Sequence, residues 1–324
     1  MSGGEGPFPD GEEIEESTWA LAFSLAAFCL GTWIADCTDG ERGEKMARVL
    51  ARQADGLASL LEDAGLDGGD VDEVFQSLTD NWSEGDRIRF LIDLDFSDPF
   101  FPYDLKVKPQ DFQTGLREVA RALGFVRDVV GEIADARRSA LRAHQSVSWA
   151  KIGLFGAGGV VLLGTGAYML APLVGAALGA SAGLYGAAAV SHGLALLGGG
   201  TLASGGAGVA GGMWLVAGTG AATGLVAGSG SAAFFEMGAS QARAELTRLQ
   251  VTFKMTLLAD QVDTLKAQKA IASLHEQLDM LGATLAEERL LNDENSERVK
   301  DLEGKVSAIE ETLTWMTEQE ADAA

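Results

Sequence analysis

Residues 152–179 read IGLFGAGGVVLLGTGAYMLAPLVGAALG, the first third of an 84-residue tract, 152–235, that contains no Asp, Glu, Lys or Arg. The surface of a water-facing domain is mostly polar, so so long a stretch without charge reads as helix embedded in lipid. Twenty-four of its residues are glycine, yet Leu, Val, Ile, Phe, Trp and Met are interleaved throughout, unlike a Gly/Ser linker. Gly175, Gly179 and Gly183 fall four apart; Gly220, Gly224 and Gly228 repeat the spacing, and Gly200, Ser204, Gly208 and Gly212 make a third row. On a helix such positions stack on one face, where small side chains let helices associate in lipid. In water each glycine would cost a helix about 1 kcal/mol against alanine.

At about 1.5 Å per residue the tract allows at most roughly four crossings of an apolar layer about 30 Å thick. Arg137, Arg138, Arg142 and Lys151 precede it, and Arg243, Arg248 and Lys254 follow it. Basic residues at both ends place both flanks in the cytoplasm, favouring an even number of spans, two or four. His192, the one group in the tract that titrates near neutrality, reads either as a pH switch or, in preference, as a loop-tip or hydrogen-bonded histidine.

Upstream, residues 1–11 are Gly, Pro and acid, read as a disordered tail. Residues 17–35 are again uncharged, and 19 residues suffice to span a membrane. The amphipathic helices read at 41–64, 70–78 and 83–94 need an apolar surface to pack on, which favours a buried core helix at 17–35. A proline-marked loop follows, with Phe96, Phe100, Phe101 and Tyr103 available to tuck it down. From Asp111 one long helix is expected to run to Lys151, with Leu116, Val119, Leu123, Val126, Val130 and Ile133 as its seam.

Downstream, Ile271, Leu278, Leu285, Asn292, Val299, Val306 and Leu313 recur every seven residues, with Leu274, Leu281, Glu288, Asn295, Leu302, Ile309 and Met316 as companions. This predicts a coiled coil with a polar break. Asn292 reads either as a buried register-setting residue of a parallel dimer or as part of a turn in an antiparallel hairpin. Val251, Met255, Leu258, Val262 and Leu265 form an earlier seam in another phase.

Overall, 47 acidic against 24 basic residues give a net charge of −23, which argues against nucleic acid as partner. Cys29 and Cys37, eight apart on one helix, would sit about 12 Å apart, beyond disulfide reach. The acidic N-terminus lacks the positive region of a secretory signal. Gly179-Ala-Ser181-Ala-Gly183 matches a nucleophile elbow, and Asp260 or Asp263 and His275 follow in order, but the required strand before the serine is not legible. Gly156-Ala-Gly158-Gly159 lacks the third glycine and the acid of a dinucleotide fingerprint. Gly304-Lys305 lacks the hydroxyl residue of a P-loop. Asp67, Asp70, Asp72 and Glu73 lack calcium-loop spacing, and three scattered histidines make no metal set. No cofactor is expected.

Residues 152–179, with the later GTGAATG and FFEMG, resemble the membrane part of the transmembrane and coiled-coil domain family. They are also similar to the Gly/Ala-rich inserting segments of apolipoprotein-L-like and colicin-like pore formers. The first family carries an α/β-hydrolase domain after its membrane part; this chain has heptads there, so no hydrolase activity is implied.

The sequence thus predicts an all-α protein in four parts: a tail (1–11), a cytosolic helical domain (12–147), a glycine-zipper membrane region (148–236) and coiled-coil helices (237–324). Helix packing is assigned to Gly175, Gly179, Gly183, Gly208, Gly212, Gly220, Gly224 and Gly228. Oligomerisation is assigned to Leu278, Leu281, Leu285, Asn292, Val299, Leu302, Val306, Ile309 and Leu313. The expected function is an oligomeric pore-forming or bilayer-perturbing effector without enzymatic activity, of a bacterial toxin or phage-defence kind, in the cytoplasmic membrane if bacterial. The alternatives are a membrane scaffold recruiting a protein partner through its coil, and a membrane-associated serine hydrolase. The expected partners are the lipid bilayer, further copies of the chain and a coil-bound protein.

Overall fold

The structure, a computed structural model, describes residues 16–63, 65–66, 71–100, 103, 105–143, 238–257 and 264–323. Every regular element among them is helical, as the sequence predicts. The chain divides into two compact units; described residues 16–130 belong to one, and 131–143 with 238–323 to the other.

The first unit is organised by α1 (Glu16–Asp36), which touches α2 (Glu41–Asp63), α3 (Val71–Thr79), α4 (Glu84–Asp95) and α5 (Pro109–Ala122). With no charge between 17 and 35, α1 has little polar surface to keep in water, and Ala22, Phe23, Leu25, Ala27, Leu30 and Ile34 are all but fully buried. On α2, Met46, Val49, Leu50 and Leu57 are buried at helical spacing, with Gln53 among them. Gln53 Nε2 donates to Pro99 O at 3.1 Å, fastening the loop in which Phe96 and Phe100 are buried. A capping box starts α4: Asp86 N–H donates to Ser83 Oγ (3.1 Å) and Ser83 N–H to the Asp86 carboxylate (3.2 Å).

Phe90 of α4 is the centre of an aromatic cluster. Trp19, Trp82 and Phe23 approach it edge-on at centroid distances of 5.4, 5.1 and 5.7 Å, and Phe75 lies at 6.0 Å. Trp19 and Trp82 stack at 4.9 Å, and the Arg89 guanidinium sits 5.3 Å from the Trp19 ring centre. Such pairs add about 0.5–1.5 kcal/mol each beyond the area they bury. On α5, Gly115 lets the helix meet α1: a Cβ there would stand 2.7 Å from Leu30 Cδ1 and 3.4 Å from Trp33 Cε3.

The long helix expected from Asp111 is in fact two, α5 and α6 (Val129–Ala143). Gly124, at φ +85°, ends the first. Its N–H donates to Arg121 O (2.9 Å) and the Phe125 N–H to Ala120 O (3.0 Å), the double bond of a Schellman turn. Arg87 Nη1 donates to Leu123 O at 3.1 Å beside it. The expected seam residue Val126 consequently lies fully exposed in the connection.

The second unit contains α7 (Ala239–Thr252), a π-helical segment (Phe253–Leu257), α8 (Thr264–Leu291) and α9 (Glu297–Ala323). The π segment admits an extra residue per turn; Val251 and Met255 of the earlier seam are buried, while its Leu258 and Val262 lie outside the described residues. Ion pairs Arg289–Glu303 (2.7 Å) and Arg298–Glu288 (2.5 Å), with Gln268 near Glu320 (3.4 Å), pair rising numbers on α8 with falling ones on α9. The two are therefore antiparallel, joined by the turn at 292–296. Leu274, Leu281 and Leu285 face Val299, Leu302, Ile309, Leu313 and Met316 in one core, with Leu278 and Val306 packed against it.

α7 packs on α9, and residues 242–253 are buried on every face. Asp301 accepts from the Ala239 N–H (2.6 Å) and holds Lys305 (2.9 Å), and Arg243 donates to Gly304 O (3.3 Å) and Glu311 (3.4 Å). A Cβ on Gly304 would stand 2.8 Å from Ala239 Cβ.

The integral membrane pore former, and its membrane localisation with cytoplasmic flanks, must be corrected. Among the described residues no helix is long and apolar enough to cross a membrane. The uncharged residues of α1 are buried within a helical bundle. The lipid-bilayer role assigned to 152–235, the glycine rows from Gly175 to Gly228 and His192 fall outside the described residues.

Phe90→Ala is expected to destabilise the first unit by about 3–5 kcal/mol and Gly115→Ala by about 1–3 kcal/mol. Urea unfolding followed by tryptophan fluorescence measures both, and an unchanged midpoint for Phe90→Ala would remove the cluster from its central place.

Candidate functional site

Two surface features stand out among the described residues. The first is the outer face of α8. Ala272, Glu276, Asp279, Ala283, Ala286 and Leu290 follow one another at alternating spacings of four and three, and all are exposed. Met280 beside them is 43% exposed, and Leu290 and Leu291, at the turn end, are 86% and 74% exposed. Leu274, Leu281 and Leu285 point the other way, into the filled core. The helix thus has two seams, one consumed within the chain and one, of small and acidic residues ending in two leucines, facing outward. Residues 264–323 carry fourteen acids against six bases, so this surface is negative.

The second feature is an open cavity of about 220 Å³ where α5 gives way to α6, lined by Arg117, Arg121, Arg127 and Asp128 together with apolar Ala120, Phe125, Val126, Val129 and Val130. Arg117 and Arg121 are one turn apart on α5, and Arg127 stands beyond the break at Gly124. Arg117 donates to both oxygens of Asp128 (2.9 and 3.3 Å), Arg127 to Glu84 (2.8 Å) and Arg121 to Glu118. The Glu118 hydrogen bond and charge raise the Arg121 pKa further above its ordinary range. Exposed pairs of this kind add little to stability, since water screens them.

The residues assigned to oligomerisation are mostly intramolecular. Leu281, Leu285, Val299, Leu302, Ile309 and Leu313 are core, while Asn292 is exposed in the turn and donates to Glu288 Oε2 at 2.6 Å. The turn reading of Asn292 therefore describes this chain. Ser181, Asp260, Asp263 and the Gly156 motif lie outside the described residues, and His275 is exposed on α8. Among the described residues no group of three or more His, Cys, Asp or Glu could hold a metal. Neither surface feature was found from the sequence. The leucines of α8 drew attention to its inner seam, and the Leu123-Gly124-Phe125 helix stop, the one legible signal for the cavity, was read through.

No protein-family model, curated protein or solved structure matches the chain.

Both cysteines are free. Burial first, and the charge of Asp72 second, push the Cys29 thiol from 9.0 to about 11, whereas Cys37 is exposed just past the end of α1. Between those two values the unfolded chain ionises while the native thiol keeps its proton. Stability attributable to this group therefore falls as pH rises from about 9 to about 11 and is unaffected below. At neutral pH a disulfide-exchange reagent should label exposed Cys37 well before half-buried Cys29 in native protein and both at similar rates in urea; native labelling of Cys29 as fast as of Cys37 would contradict its partial burial.

Proposed function

We propose that the chain is a non-catalytic scaffold whose α8–α9 hairpin docks a basic amphipathic helix of a partner protein. The observation that carries this is the outward pair Leu290 and Leu291, unburied at the end of a hairpin whose own seam is already full. Large apolar side chains grouped at an exposed site mark docking surfaces. The alanines of the stripe would let a second helix come close, and the leucines would supply its apolar anchor. Glu276 and Asp279 lie within the stripe and Glu287 beside it, so a partner helix bearing Lys or Arg beside its apolar stripe is favoured. Like charge disfavours a second copy of the same face.

The test uses the full chain and two synthetic heptad helices, one Leu/Lys and one Leu/Glu. The Leu/Lys helix should bind, more weakly as salt rises. The Leu290→Ser, Leu291→Ser double variant should lose at least about tenfold in affinity, with unchanged helical circular dichroism. Equal binding of both peptides, or indifference to the double variant, would overturn the proposal. Concentration-dependent dimerisation abolished by the double variant would transfer the face to a second copy.

A further inference from the structure

We propose that the cavity at the α5–α6 connection is a binding site for a small amphipathic oxyanion, a carboxylate or phosphate head on a short apolar body. It is a separate site from the hairpin face and stands independently of it.

The charge is the first observation. A chain of net charge −23 has little reason to gather cations, yet Arg117, Arg121 and Arg127 surround one cavity of about 220 Å³. One acid, Asp128, shares the lining with the three arginines, each of which is ion-paired to a carboxylate. Glu118 and Glu84, which hold Arg121 and Arg127, are not part of that lining.

Donor capacity is the second. A guanidinium has five N–H groups in a planar fork. Arg117 spends two on Asp128 and Arg121 one on Glu118, which leaves donors on both for a guest. A fork matches the two coplanar oxygens of a carboxylate or two of a phosphate, so both heads belong to one chemistry.

The apolar part of the lining is the third. Ala120, Phe125, Val126 and Val130 offer carbon, and Val126 is wholly exposed. An inorganic anion would leave that part wet, whereas a short acyl, alkyl or aryl body would cover it. The Schellman turn at Gly124 fixes the distance between the arginines of α5 and the residues after the break, so the cavity is shaped before a guest arrives.

Equilibrium dialysis of the full chain tests the site with four probes: hexanoate, hexyl phosphate, inorganic phosphate and hexylamine. At least one hexyl anion should bind in the millimolar range or tighter, and comparison of the two distinguishes the head groups. Inorganic phosphate should bind at least about tenfold more weakly than the better hexyl anion, because it leaves the apolar wall uncovered. Hexylamine, with the same tail and opposite charge, should not bind. Arg121→Gln should weaken the better anion about tenfold, with Arg121→Lys intermediate because it keeps the charge and loses the fork. Arg121 is exposed and tied only to its own helix, so the fold survives the change; unaltered helical circular dichroism checks this. Hexylamine binding as tightly as hexanoate, an Arg121→Gln variant as good as the parent, or no retention of either hexyl anion at millimolar concentration would each overturn the proposal.

Discussion

A helix with no charge on any face can be stable in water only when other elements cover it. That constraint organises the first unit. Residues 17–35 supply bulk at Trp19, Phe23, Leu25, Leu30 and Ile34 and clearance at Ala22, Ala26, Ala27 and Gly31, so neighbours can approach α1 from several sides. The four helices that do so need not be very apolar themselves; each contributes one buried stripe. Phe90 then ties α4 to α1 through rings whose edge-on geometry tolerates little displacement.

The second unit solves a related problem differently. Its buried charged residues are paired: Lys305 with Asp301, Arg248 with Glu245 at 3.0 Å, and Arg243 against Gly304 O and Glu311. Pairs of this kind add little net stability, since desolvation offsets attraction, but breaking one leaves a buried charge exposed to low dielectric. They act on arrangement: Asp301 and Arg243 fix α7 along α9 where leucines alone would permit sliding. The contact of Gly304 with Ala239 sets how near the two backbones come.

Much of this was legible. The helices at 41–64, 70–78 and 83–94 differ from the observed ones by a residue or two, because alternating apolar spacing and caps such as Ser83 are local signals. The heptad marked the right core residues. What it could not choose was whether a seam closes on another molecule or on its own chain, since both bury the same leucines. Asn292 decided that only through its place in the turn. The two candidate sites were less visible, because exposure is a property of the folded surface. Leu285 stands in the heptad and is buried, whereas Leu290 stands outside it, and sequence alone does not say whether such a leucine is covered by another element or left bare. At Gly124 a glycine followed by Phe125 was a readable stop, overridden by the apolar periodicity on either side. At 17–35 composition alone allowed a membrane span, but the amphipathic helices beside it favoured the buried core helix that is observed.

The stacked indoles of Trp19 and Trp82 have an optical consequence. Two identical chromophores held 4.9 Å apart couple their electronic transitions, which split into two shared excited states. The pair joins the start of α1 to the turn that precedes the Ser83 cap of α4, and the cation of Arg89 lies over the Trp19 ring. The molecule therefore carries its own exciton-coupled reporter, whose split ultraviolet dichroism signals that these two distant stretches of chain have met.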